Sequence, residues 1–242
     1  MMKKIVCENL EKWTEAVADE ICKAVEAKPE LTMILATGST PEPVYDELVK
    51  RNKEGKVSFK GLKSYNLDEY VGLPGDDVNS YRYYMDSRLF NHIDADKANL
   101  HLPSGVAEDM EQECVDYEAA LAAEGYADFA ILGIGMNGHI GFNEPGTAFD
   151  SVTHIVELTQ STIDANSPNF EDPSQMPRKA ITMGLKTIME SKTILLMVRG
   201  AKKAATLKAI VDGPVTEEVP GSILQNHANV IVVADAEAAA LL

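Results

Sequence analysis

Short continuous apolar runs alternate along the chain with longer stretches in which apolar residues recur every third or fourth position. The short runs predict buried strands over residues 3–7, Leu31–Ala36, Leu62–Leu67, a run beginning at Phe129, Ala180–Met183, Thr193–Val198 and Val230–Ala234, with another short strand inside Ser151–Leu158. The periodic stretches predict helices. One covers Leu10–Lys28, where Trp13, Val17, Ile21 and Val25 share a face and Pro29 lies just beyond. Others cover about Val44–Arg51, Ser80–Asn91 (Tyr81, Tyr84, Met85 and Leu89 on one side) and Met110–Glu124 (Cys114, Tyr117 and Leu121 inward). A last one opens at Arg199-Gly200-Ala201-Lys202-Lys203 and runs to about Val211. Strand and helix alternating from end to end predict an α/β fold: one doubly wound, mostly parallel sheet with helices on both faces, forming a single domain over residues 1–242. One segment breaks the pattern. Thr159–Pro177 is polar and carries Pro168, Pro173 and Pro177, which predicts a mobile helix–loop lid over the functional site.

In a Rossmann-like sheet of this kind, ligands gather at the carboxyl ends of the strands. Three predicted strand ends carry chemistry. The run from Phe129 breaks into Gly133, Gly135, Gly138 and Gly141, with Asn137, His139, Asn143 and Glu144 among and just after them. A tight turn holding one polar histidine is the plain reading of a lone Gly-x-Gly, but four polar side chains crowded together favour a site. The strand at Leu31–Ala36 leads into Thr37-Gly38-Ser39-Thr40-Pro41 and a helix. Free N–H groups and hydroxyls at a helix N-terminus make an anion site, while Ser39-x-x-Glu42 also reads as a capping box without a ligand. It is not a Walker loop, since the Lys-Ser/Thr pair is missing. The third strand ends in Asp68-Glu69, either a catalytic carboxylate or a solvated acidic turn. A parallel sheet brings residues 38–40, 68–69 and 135–144 to one edge. An anion cradle, a carboxylate base and a His–carboxylate pair together suit proton transfer on a phosphorylated small molecule.

Charge narrows the partners. With 22 basic and 38 acidic side chains the net charge is −16, which argues against nucleic acid and anionic membranes as partners. A small phosphorylated ligand stays compatible if a helix N-terminus and one or two cations converge locally. Cys7, Cys22 and Cys114 lie far apart with no C-x-x-C, so neither a disulfide framework nor a zinc site is expected. The opening Met-Met-Lys-Lys-Ile-Val has too few apolar residues for a signal peptide, and no run reaches membrane-spanning length, so a cytoplasmic protein is expected.

The segments Leu35-Ala36-Thr37-Gly38-Ser39-Thr40-Pro41, Asn66-Leu67-Asp68-Glu69-Tyr70-Val71-Gly72-Leu73 and Gly138-His139-Ile140-Gly141-Phe142-Asn143-Glu144-Pro145 resemble, in order and interval, the glucosamine-6-phosphate deaminase (isomerase) family. The first segment is shared with 6-phosphogluconolactonases; the other two are specific in combination, and the likeness extends over nearly the whole chain. The resemblance implies conversion of glucosamine 6-phosphate and water to fructose 6-phosphate and ammonium, a hydrolytic C–N cleavage in amino-sugar catabolism. It implies that Asp68 moves a proton between C1 and C2, and that His139 assists ring opening, held by Glu144. It also implies that Gly38, Ser39, Thr40 and Lys203 contact phosphate and sugar, with neither a metal nor an organic cofactor. A galactosamine-6-phosphate isomerase, a 6-phosphogluconolactonase and a non-catalytic sugar-phosphate sensor are the competing readings.

Two positions depart from the family pattern. Asn137 stands where some members have aspartate, leaving His139 one acidic neighbour fewer. Pro168 follows Asn166-Ser167 where many members carry a phosphate-binding arginine, with Arg178 or Lys202 as candidates to compensate. The hexameric members bind an activator through basic residues soon after the Glu-Pro pair. His154 and Val156 occupy that neighbourhood, so a monomer without allosteric activation is expected.

Overall fold

The computed structural model describes residues 2–242. In chain order its elements are β1 (Lys3–Cys7), α1 (Leu10–Ala27), β2 (Thr32–Leu35), α2 (Glu42–Lys53), β3 (Lys63–Asn66), β4 (Asp68–Tyr70), α3 (Tyr81–Arg88), β5 (Leu100–His101) and α4 (Met110–Ala123). They continue with β6 (Phe129–Leu132), β7 (His154–Glu157), α5 (Gln160–Asn166), β8 (Lys179–Thr182), α6 (Leu185–Met189), β9 (Ile194–Val198), α7 (Ala204–Asp212) and β10 (Val230–Asp235).

Seven strands form one all-parallel sheet in the order β1-β10-β9-β6-β2-β3-β5. Every residue of β2, β6 and β9 is buried, as expected of strands covered on both faces. Helix α1 illustrates how the covering layer is fixed. Asn9 caps it by accepting the Lys12 N–H at 2.9 Å, and Trp13, Val17, Ile21 and Val25 turn inward. Trp13 is fully buried, and its indole N–H donates to the Val233 carbonyl of β10 at 3.0 Å. Truncation of so large a buried side chain typically costs about 3–5 kcal/mol.

The topology places the site. From β2 the chain proceeds outward to β3 and β5; it then returns to β6 on the other side of β2 and builds outward through β9 and β10. The direction of winding reverses between β2 and β6, and the loops leaving those two strands part to open a crevice there.

The doubly wound parallel sheet matches the sequence expectation, with one addition. The strands around 154–157 and 179–182 do not join it. They form a separate antiparallel sheet, β4-β8-β7, in which Asp68 pairs with Thr182 and His154 with Thr182 from the other side. Leu67 is the whole connection between β3 of the large sheet and β4 of the small one. Its N–H donates to the Leu35 carbonyl at 3.1 Å, and its carbonyl accepts the Met183 N–H at 2.8 Å. Asp68 and Glu69 are therefore the first residues of a strand, not a turn.

Residues 159–177 comprise α5 and two short 3-10 turns, at Ser167–Asn169 and Pro173–Gln175. They bury Ile163, Phe170 and Met176 against Tyr70, Phe142, Leu158 and Ala180 of the small sheet and its flanks, a cluster distinct from the main core. This segment covers the crevice from the side of the small sheet.

Candidate active site

Three adjoining cavities make up the crevice. The central one is lined by Gly38, Ser39 and Thr40 after β2, Asp68 at the start of β4, and Gly135 and His139 after β6. It shares Gly38, Ser39, Tyr81 and Asn166 with a larger cavity of about 420 Å³ beneath the covering segment. On the other side it shares Ile134, Gly135, His139 and Asn166 with a cavity that Asn137, Thr162 and Lys203 complete. Gly38, Ser39, Thr40, Asp68, Asn137, His139 and Lys203 thus converge. Glu144 lines no cavity, because it stands behind His139.

Asp68 is buried, with 6% of its surface exposed, yet among the described residues no donor lies within hydrogen-bond distance of its carboxyl group. Burial, and then the nearby Glu69 charge, push its pKa up to about 8. Glu69 points to the opposite face of β4, as successive strand residues must. Its carboxylate accepts the N–H groups of Tyr70, Tyr81 and Arg82, each at 2.9 Å, and so holds the first turn of α3. Glu69 is occupied in structure; Asp68 is left free for chemistry.

The loop after β6 is shaped around the imidazole. A side chain at Gly135 would meet the His139 ring at 2.3 Å, and one at Gly141, where φ is +58°, would meet Thr182 Oγ1 at 2.9 Å with Asp68 just beyond. His139 Nδ1 lies 3.3 Å from Glu144 Oε2. Asn137 Nδ2 donates to that same oxygen at 2.6 Å, and Asn137 Oδ1 accepts the His139 N–H at 3.3 Å. The other carboxylate oxygen, Oε1, accepts Thr159 Oγ1 at 3.2 Å and the Thr162 hydroxyl, both from the start of the covering segment. Burial alone would push the Glu144 carboxyl up. The hydrogen bonds from His139, Thr162 and Asn137, with the imidazole charge, outweigh it and hold the group down at about 2. Glu144 thus remains an anion able to fix the histidine tautomer.

At the β2 loop, α2 begins at Glu42 with Pro41 as its N-cap and no side-chain capping hydrogen bond. The capping box is not formed, so the Ser39 and Thr40 hydroxyls remain available beside the positive end of a 12-residue helix. Lys203 Nζ donates to the Ile134 carbonyl at 2.7 Å, and its burial lowers its pKa.

Neither compensating cation reaches the site. Arg178 and Lys202 are both exposed, and neither lines any of the three cavities. Pro168 is likewise exposed. Sequence reasoning missed Thr159, Thr162 and Arg199, whose Nη2 donates to the Ser39 carbonyl at 2.7 Å. No motif marks them, because each acts on a partner remote in sequence. Among the described residues, no group of three or more His, Cys, Asp or Glu side chains is arranged to hold a metal ion, and no helix is long and apolar enough to cross a membrane.

Comparison with known proteins sets this geometry in a family. The family described as glucosamine-6-phosphate isomerases/6-phosphogluconolactonase matches residues 8–233. A glucosamine-6-phosphate deaminase of Shouchella clausii is 48% identical over 240 residues, covering 99% of this chain and 97% of its own. One from Clostridium perfringens is 46% identical over 241 residues, covering all of both chains. Among solved structures, a monomeric glucosamine-6-phosphate deaminase is 42% identical and superposes with a TM-score of 0.97 over the full length of both chains. By sequence and by fold, the chain belongs to the family of glucosamine-6-phosphate isomerases and 6-phosphogluconolactonases.

Proposed function

We propose that the chain is a glucosamine-6-phosphate deaminase, converting glucosamine 6-phosphate and water to fructose 6-phosphate and ammonium. The observation that carries this reading is Asp68: a buried carboxyl group without a donor, facing the same cavity as His139 and the Gly38–Thr40 loop. An aldose–ketose shift needs one such base beside the sugar carbons, and a pyranose ring must open first.

The phosphate lies on Gly38, Ser39 and Thr40 at the α2 N-terminus, with Lys203 opposite. His139, its charge balanced by Glu144, moves a proton between the ring oxygen and the C1 hydroxyl as the ring opens. Asp68 takes the C2 proton, and the C2–H electron pair becomes the C1=C2 double bond as the C1=O π pair moves to O1; O1 takes up a proton while the nitrogen gives one up, leaving an enolamine. Return of that proton to C1 leaves a C2 iminium. Water adds at C2, the C–N bond breaks, and nitrogen departs as ammonium. The net reaction is isomerisation coupled to hydrolytic deamination, a step that degrades amino sugars.

The substrate's ammonium group also explains how so basic a carboxyl can serve near neutral pH. Bound beside Asp68, the positive charge favours the carboxylate and offsets its burial. The segment 159–177 acts as a lid, fastened to Glu144 by Thr159 and Thr162. The enzyme works as a monomer, and its three free, buried cysteines suit the reducing cytoplasm. The test is a coupled assay with glucosamine 6-phosphate: ammonium and fructose 6-phosphate should form one to one. Release of neither, with turnover of 6-phosphogluconolactone instead, would overturn the proposal.

A further inference from the structure

The covering segment supplies no cation to the crevice, since residues 159–177 contain neither lysine nor arginine. A phosphate on the β2 loop therefore depends on cations carried by the sheet edge itself. Lys203 is one. Arg199 is the other, and its position is unusual. It is the first residue after β9, which lies two places from β2 in the sheet with β6 between them. Adjacent strands are about 4.8 Å apart, so β9 and β2 are separated by roughly 10 Å. Arg199 Nη2 nevertheless reaches the Ser39 carbonyl at 2.7 Å. The side chain therefore spans from the end of β9 past β6 to the β2 loop, beside the three cavities and not in their lining.

Its neighbours hold it there without neutralising it. Gly200, at φ +88°, donates its N–H to the Asp235 carboxylate at 2.8 and 3.1 Å, and the Ala201 N–H donates to Glu237 Oε2 at 3.2 Å. Both carboxylates are thereby engaged by the backbone. Arg51, Arg82 and Arg88 each pair with an acidic side chain, but among the described residues no carboxylate lies within ion-pair distance of Arg199. In a chain with a net charge of −16, an arginine held at the anion loop by a neutral carbonyl is a cation in reserve.

We infer that Arg199 is a phosphate-binding residue of this chain: anchored to Ser39 through one N–H, it presents its remaining donors to a phosphate lying on residues 38–40, opposite Lys203. The inference rests on the reading of the substrate as a sugar phosphate and names the arginine that grips it. A guanidinium offers two parallel N–H donors to phosphate oxygens, which an ammonium cannot.

The test compares wild type, Arg199→Ala and Arg199→Lys by ammonium release and, separately, by calorimetric titration with inorganic phosphate. Arg199→Ala should raise KM by about ten- to a hundred-fold, the worth of a charge-assisted contact, with little change in kcat. Phosphate affinity should fall in parallel. Arg199→Lys should lie between the two and, should the alanine variant fail to fold, must itself raise KM. A folded Arg199→Ala enzyme whose KM and phosphate affinity match wild type would overturn the inference while leaving the deaminase reading intact. If instead wild type releases no ammonium, that reading falls, and loss of phosphate affinity in Arg199→Ala still upholds the role of Arg199.

Discussion

The carboxyl group of Asp68 is held neutral by its surroundings, and this has opposite consequences for activity and stability. Its folded pKa of about 8 lies above the unfolded value of about 3.9. The stability associated with this group is therefore fully present below about pH 4 and declines as pH rises through about 8. Asp68→Asn should lower kcat by about 10²–10⁴-fold, as expected for loss of a general base. It should also melt at a higher temperature than wild type above pH 8, where wild type must bury a charge. In wild type, kcat/KM should climb along an acid limb near pH 8, and the limb of kcat should sit lower because the bound ammonium favours the carboxylate. An acid limb at the same pH for both would contradict that electrostatic link. Glu144 has the reverse sign. Its pKa of about 2 lies below the unfolded value of about 4.3, so its contribution is present above pH 4.3 and is lost as pH falls toward 2. On the proposed roles, with Glu144 acting through His139, removing both should cost little more rate than removing either, whereas additive losses would mean that they work separately.

At the scale of elements, Glu144 is also where the covering segment is fastened, through the hydroxyls of Thr159 and Thr162. A hydrogen bond to a charged group contributes about 1.5–3 kcal/mol. Thr162→Val removes one while keeping the shape, so amide exchange across residues 160–176 should accelerate by roughly ten- to a hundred-fold. Unchanged protection there would show that the apolar cluster around Phe170 holds the segment by itself. These elements also mark where the sequence stopped being legible. The parallel strands other than the two-residue β5, together with α1, α2 and α4, follow from apolar runs and periodicity, since burial on both faces or one leaves a clear pattern. Strand β4 has only three residues, too few for a period, and its one partner, β8, lies more than 100 residues further along the chain. Gly38, Ser39, Thr40, Asp68, Asn137, His139 and Glu144 were readable as candidates because they cluster at predicted strand ends, whereas Lys203 rested on the family resemblance. Arg199 was not readable, because its partner Ser39 lies 160 residues away and offers only a backbone carbonyl.

For the molecule as a whole, the crevice sits at a topological switch point within a strongly acidic body. Such a chain should repel its own copies, and sedimentation at moderate salt should give a single species near 26.3 kDa. A hexamer, or sigmoidal kinetics relieved by N-acetylglucosamine 6-phosphate, would contradict the monomer. The proposed reaction turns on proton transfer between two neighbouring sugar carbons, and the fate of the C2 hydrogen reports on it. Glucosamine 6-phosphate deuterated at C2 should react more slowly than the unlabelled sugar, and part of the label should appear at C1 of fructose 6-phosphate with wild type, while Asp68→Asn should give almost no product. Ammonium release with the deuterium still on C2, or at an undiminished rate in Asp68→Asn, would show that the crevice performs a different reaction.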